Sequence, residues 1–219
     1  ERRMLMKKGC ILCLLISVIS LPLIAQNIIY SNLKELLTQH GDTTAVLRVE
    51  KRSRNQIVLT GGADYRITAG DDESMCRRLK KRCFAVRDEK GNLYLNCRKL
   101  RYKKLRFGAW YAPAVQLGKN IYFCAMPLGS VIGGNFVEED DVKLGGNIGD
   151  ALAASSLVTK RVCYELNGET GKVDFLGKDR MLQLLKNYPE LKQAYLKDDS
   201  QEAKHTFKYL LELQNKQKK

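Results

Sequence analysis

Histidine is almost missing from this chain, which holds His40 and His205 and no other in 219 residues. Neither stands in an HExxH arrangement or beside a cysteine pair, so the zinc sites that those spacings build are excluded. Proline is sparse, at 4 residues, and the 7 cysteines are too few for a fold of this length resting on disulfides. No apolar run reaches the roughly 20 residues a membrane-spanning helix needs. Nucleotide and nucleophile motifs are missing as well. Gly129-Ser130-Val131-Ile132-Gly133 lacks the spacing of a nucleophile elbow. Gly168-Glu169-Thr170-Gly171-Lys172 lacks that of a phosphate loop and lies between two strand-like segments. No catalytic residue, metal site or cofactor is assigned. Acid is in deficit too: 24 Asp and Glu face 38 Lys and Arg, for a formal charge of +14. Such a balance draws anionic surfaces without selecting among them.

The clearest positive signal is at the start. Lys7 and Lys8 precede an apolar stretch from Cys10 to Ile24, broken by Pro22 and followed by Ala25-Gln26. A basic front, a short greasy middle and a small residue at the exit read as a secretory signal peptide over residues 1–25, cleaved after Ala25. Cys10 and Cys13 fall inside that leader, so their CxxC spacing carries no redox reading. Cleavage leaves 194 residues, enough for one ordinary domain. It removes four basic residues and one acidic one, which lowers the charge to +11. The expected setting is periplasmic, outer-membrane associated or extracellular, where disulfides form.

Hydrophobic patterning divides the rest into a β-rich body over 26–177 and helices over 178–219 packed on the same domain. Asn32 and Glu35 suggest a capping box for a helix running to His40 and stopped by Gly41. Strands are expected at 45–51, 56–60 and 65–68. Asp71-Asp72-Glu73-Ser74 opens a helix that closes on five basic residues within 77–82, which suits the helix dipole at both ends. Residues 83–87 and 93–97 form a hairpin in which Gly91 closes Asp88 against Asn92. That register sets Cys83 opposite Cys97, the one expected disulfide. Strands at 105–111 and 120–126, separated by Pro113 and Gly118, carry most of the aromatic residues. A second hairpin joins 161–166 to 172–176, and Pro189 suits the first turn of a helix.

Two segments are unusual in composition. Residues 127–156 are rich in small residues, and a small-residue helix at 148–158 is expected to dock on the sheet or to mediate self-association. Within that stretch Glu138, Glu139, Asp140 and Asp141 lack the ligand order of a calcium loop. The other segment is basic: Arg98, Lys99, Arg101, Lys103, Lys104 and Arg106 fall within nine positions and interleave with Tyr102 and Phe107. Basic side chains with aromatic rings suit anionic glycans or single strands, although a regular strand would place only half of them on one face. These six are the candidate anion-binding residues.

The series Leu-Thr-Gly-Gly-Ala-Asp-Tyr-Arg (59–66), Asn-Leu-Tyr-Leu-Asn-Cys-Arg-Lys-Leu (92–100) and Ala-Ala-Ser-Ser-Leu-Val-Thr-Lys-Arg-Val (153–162), followed by Leu-Gly-Lys-Asp and Tyr-Pro-Glu-Leu, resembles uncharacterised exported proteins of Bacteroidota bacteria. The resemblance covers nearly all of the mature chain. It implies export and, with no established activity behind it, transfers no site residue. The expected fold is α+β, an antiparallel sheet of seven to nine strands with a C-terminal helical group. The expected function is non-catalytic binding at the cell envelope, with an anionic glycan, lipopolysaccharide or an envelope protein as partner and no specific nucleic acid. Two alternatives stand beside it: an envelope hydrolase using carboxylates, Cys124 or Cys163, and a structural protein that self-associates.

Overall fold

The computed structural model describes residues 26–44, 46–126, 161–198 and 203–218. The leader, the small-residue helix and the 138–141 acidic cluster lie outside them. The fold is α+β. Its strands are β1 (Asn27–Tyr30), β2 (Asp42–Thr44), β3 (Arg48–Lys51), β4 (Tyr65–Thr68), β5 (Ala85–Arg87), β6 (Leu93–Asn96), β7 (Arg101–Tyr102), β8 (Leu105–Arg106), β9 (Tyr111–Leu117), β10 (Asn120–Ala125), β11 (Val162–Leu166) and β12 (Val173–Phe175). The helices are α1 (Leu33–Leu37), α2 (Arg54–Thr60), α3 (Glu73–Lys81), α4 (Lys178–Leu184), α5 (Pro189–Lys197) and α6 (Ala203–Gln217). A ten-stranded sheet runs β12-β11-β10-β9-β6-β5-β1-β2, with β4 joining β9 at Tyr111 and carrying β3. Every pairing is antiparallel. β7 and β8 form a separate small hairpin.

Both faces of the sheet are covered, which explains why its central strands read as nearly continuous apolar runs. One face buries Leu93, Leu95, Ala112, Ile121, Phe123 and Tyr164 beneath α1, Leu100 and Phe107. The opposite face is shared. The C-terminal helices cover Val115, Leu117 and Tyr122 with Met181, Leu185, Leu210 and Leu213. Toward the other end, Leu79 of α3 packs on Ile29, Val86, Tyr94 and Tyr111. Leu79 also places its carbonyl where the Tyr111 hydroxyl donates to it at 2.7 Å and the Asn96 amide at 3.2 Å.

Several local readings are met. Asn32 Oδ1 accepts from the Glu35 N–H at 2.9 Å, while the Glu35 carboxylate accepts from the Ser31 N–H at 2.7 Å. Asp72 caps α3 through the Met75 N–H at 2.9 Å, and Pro189 opens α5. Asp88 closes on Asn92 with Gly91 at φ 82°.

Others are corrected. Residues 56–60 belong to α2 rather than to a strand. The reason is a second capping box: Ser53 Oγ accepts from the Gln56 N–H at 3.3 Å and Gln56 Oε1 accepts from the Ser53 N–H at 2.8 Å. α1 ends at Leu37, with Gln39 at φ 55° reversing the chain before Gly41 is reached. Pro113 interrupts nothing: it lies within β9 opposite Tyr94. The expected strand at 105–111 divides into β8 and the start of β9.

The Cys83–Cys97 disulfide is also corrected. The hairpin register is the expected one, with Arg87 opposite Leu93 and Ala85 opposite Leu95. Before it reaches the cysteines the ladder ends. The Cys83 N–H still belongs to the end of α3, donating to the Arg78 carbonyl at 2.9 Å, while Cys97 turns into a 3-10 segment and donates to the Trp110 carbonyl at 2.9 Å. Cys83 therefore packs with Leu79 on one face and Cys97 with Leu95 on the other. Both are free thiols, as is Cys76. Burial pushes Cys83 up to about 11 and Cys97 up to about 12, so neither supplies thiolate at neutral pH. The disulfide joins Cys124 to Cys163 instead, directly opposed partners on β10 and β11 with Cα atoms 4.3 Å apart. That bond removes both from consideration as nucleophiles.

Candidate functional site

The six basic candidates sit on one protruding unit. Asn96 sets it up: its amide donates to the Cys83 carbonyl at 2.8 Å, and its Oδ1 accepts from the Arg98 N–H at 3.1 Å. This turns the chain out of β6 through Cys97–Lys99 and into the β7–β8 hairpin. Leu100 and Phe107 are buried at its base and hold it against the sheet. Arg98, Lys99, Arg101, Lys103, Lys104 and Arg106 are all exposed. No ion pair to any of them occurs among the described residues. The Asn96 amide also reaches the Leu79 carbonyl at 3.2 Å, which ties the end of α3, with its exposed Lys80, Lys81 and Arg82, to the same residue.

Two features of the hairpin act against its own stability. Arg101 lies directly opposite Arg106 across the ladder, a like-charge pairing that costs energy in an antiparallel sheet. Its two-residue tip is Lys103-Lys104, with Lys103 at φ 53°, a conformation ordinarily supplied by Gly, Asn or Asp. Phe107, read from the sequence as interleaving with the charges, is core: its ring meets Phe123 at 5.3 Å and Tyr164 at 4.8 Å. Tyr102 does remain half-exposed, beside Lys103 and the ring of Phe175.

The polar clusters around Arg52, Asp64 and Asn167 are internally satisfied. Arg52 is 7% exposed; its guanidinium donates to the Gly61 and Ala63 carbonyls at 2.8 Å and lies 5.0 Å from the centre of the Trp110 ring. Trp110 sits at φ 73°, and Gly62 passes so close that a Cβ there would meet the Ala109 carbonyl oxygen at 2.5 Å. Arg161 pairs with Asp64, Nε lying 2.9 Å from Oδ2, which ties the start of β11 to this clamp. In the turn after β11, Asn167 Oδ1 accepts from the Glu169 and Thr170 N–H groups at 2.9 Å. The backbone donors that a phosphate would use there are occupied. His40 is exposed, with Nδ1 2.6 Å from the Thr38 carbonyl oxygen, and His205 meets Asp198 at 3.0 Å. Among the described residues no group of three metal-ligating side chains comes together, and no helix is long and apolar enough to cross a membrane.

The sequence marked the six basic residues but missed their opposition, because a Lys-Lys tip gives none of the usual hairpin signal. Nothing in the sequence sets Phe175 apart from an ordinary strand residue. The Arg52–Trp110 clamp had no local signature, since its parts lie far apart in the chain.

The fold and its basic hairpin define an α+β protein with no recognisable catalytic arrangement among the described residues. Residues 28–217 match a family of unknown function, DUF6563, and the chain belongs to that family. No curated protein and no solved structure matches it.

Proposed function

We propose that this protein is a non-catalytic binding module of the cell envelope, exported by the leader at 1–25, that captures an anionic glycan on the hairpin 98–106. The carrying observation is the Arg101–Arg106 opposition above a Lys-Lys tip: cationic side chains crowded against turn and ladder preference, with no acidic partner among the described residues. A polyanion laid across the hairpin relieves that repulsion and gains from every charge. An exported chain would meet glycans, and the Cys124–Cys163 disulfide fits an oxidising compartment.

The test is retention of the mature protein on immobilised heparin and on lipopolysaccharide at physiological salt. Retention should fall steeply as salt rises. The R101Q/R106Q variant should elute at lower salt with its fold intact, and elution of the wild type in the flow-through would overturn the reading. Lys103→Gly separates binding from folding. It relieves the left-handed lysine and should raise unfolding stability by about 0.5–1 kcal/mol while weakening heparin retention. Chemical denaturation read beside the elution profile checks both signs.

A further inference from the structure

Resting on that reading, we infer that Phe175, braced by Tyr102, forms a stacking subsite for a sugar ring of the bound polyanion, so that the site selects acidic polysaccharides over polyanions without rings. Phe175 lies on the edge strand β12 and is 46% exposed, although it belongs to the aromatic cluster. Its ring is propped from behind by Tyr164, 5.1 Å away, and from the side by the edge of Tyr102, 5.0 Å away at 66°. Tyr164 is fully buried, so the support is rigid. A large apolar ring held out to solvent at a fixed angle loses little freedom when a ligand covers it.

Charge decides the class of ligand. The Lys103 ammonium lies 5.2 Å from the centre of the Tyr102 ring, so cations border the platform directly. The carboxylates of β12 and its neighbour point away: Asp174 pairs in register with Glu165, and Glu165 is engaged by Arg180 on the opposite side of the sheet. A sugar ring offers one apolar face to an aromatic ring, while its carboxylate, sulfate or phosphate reaches Lys103 and Lys104. A single exposed ring bordered by lysines fits this better than the successive rings a single-stranded nucleic acid uses.

The experiment measures affinities of the wild type, F175A, F175W and R101Q/R106Q for a polyuronate, for inorganic polyphosphate and for oligo(dT). F175A should lose about tenfold in polyuronate affinity and leave polyphosphate unchanged, a loss within the range of one aromatic stacking contact. F175W should restore it, and matching thermal melts exclude a folding effect. R101Q/R106Q should weaken all three. Equal polyuronate affinity in F175A and the wild type, beside a weakened R101Q/R106Q, overturns the stacking subsite and leaves the anionic reading standing. A larger loss for oligo(dT) than for polyuronate overturns it in favour of nucleic acid. Failure of the wild type to bind any of the three overturns both.

Discussion

Replacing Cys124 and Cys163 together by alanine is expected to lower unfolding stability by about 3–4 kcal/mol. The bond closes a loop with a sequence separation of 39. In the unfolded chain that closure removes the freedom of everything between the two strands, and the gain grows with the logarithm of loop length. The native state bears no compensating distortion of pairing, because Ala125 and Phe123 continue the β10–β11 ladder on either side of Cys124. The sulfurs also carry packing. They lie 3.4 and 3.7 Å from the Ala203 carbonyl oxygen and fill the space beneath Phe207 and Leu176, so the first turn of α6 rests on them. Urea unfolding of the mature protein with and without reductant is the measurement. Reductant should shift the midpoint of the wild type toward that of C124A/C163A, which also loses the sulfur packing, and leave the double variant unmoved. An unmoved wild type would show that the cross-link contributes nothing. Thiol titration of the denatured mature chain should count Cys76, Cys83 and Cys97 only.

Where this bond lies shows what the sequence does and does not make legible. The hairpin over 83–97 was readable to the register, because Asp88, Gly91 and Asn92 are local turn chemistry. Whether the ladder continues to Cys83 was not readable, because it depends on where α3 releases the chain. Cys124 and Cys163 sit on strands whose positions were both expected, but nothing local says that β11 is the neighbour of β10 across a long connection. The same division runs through the site. The run of lysine and arginine from 98 to 106 was plain, and so was its chemistry. Its presentation on a two-residue hairpin was hidden, because Lys103 adopts a backbone conformation that its residue type does not announce. Residues 56–60 are a different case: Ile57, Val58 and Thr60 carry strand propensity, while Ser53 and Gln56 have the spacing of a capping box that starts a helix. Local capping decides there over strand propensity.

Glu165→Ala is the second large effect, expected to cost about 3 kcal/mol, because one carboxylate satisfies three neighbours at once. Its Oε1 accepts from the Asn120 amide at 2.6 Å, from the Tyr122 hydroxyl at 3.1 Å and from Arg180 at 2.8 Å, while Oε2 accepts from Arg180 Nε at 2.8 Å. Arg180 rides on α4, so this hub fastens the C-terminal helices to β10 and β11. Truncation leaves the amide and the hydroxyl facing a void. Burial together with the Glu165 charge pushes the Tyr122 hydroxyl up to about 12, so it remains a donor throughout. The Arg180 hydrogen bonds hold the Glu165 carboxyl below its usual range, and those from Tyr122 and Asn120 act in the same direction. A carboxyl depressed in the folded state contributes stability that is complete above its unfolded value and is lost as pH falls through the folded one. The stability gap between wild type and E165Q should therefore hold steady between about pH 7 and about pH 5 and close below that. Paired urea midpoints down to about pH 3 decide it. A gap that persists undiminished in acid would mean that the hub works through shape rather than charge. A gap that closes would locate acid sensitivity at the joint between sheet and helices, on the opposite side of the sheet from the ring of Phe175.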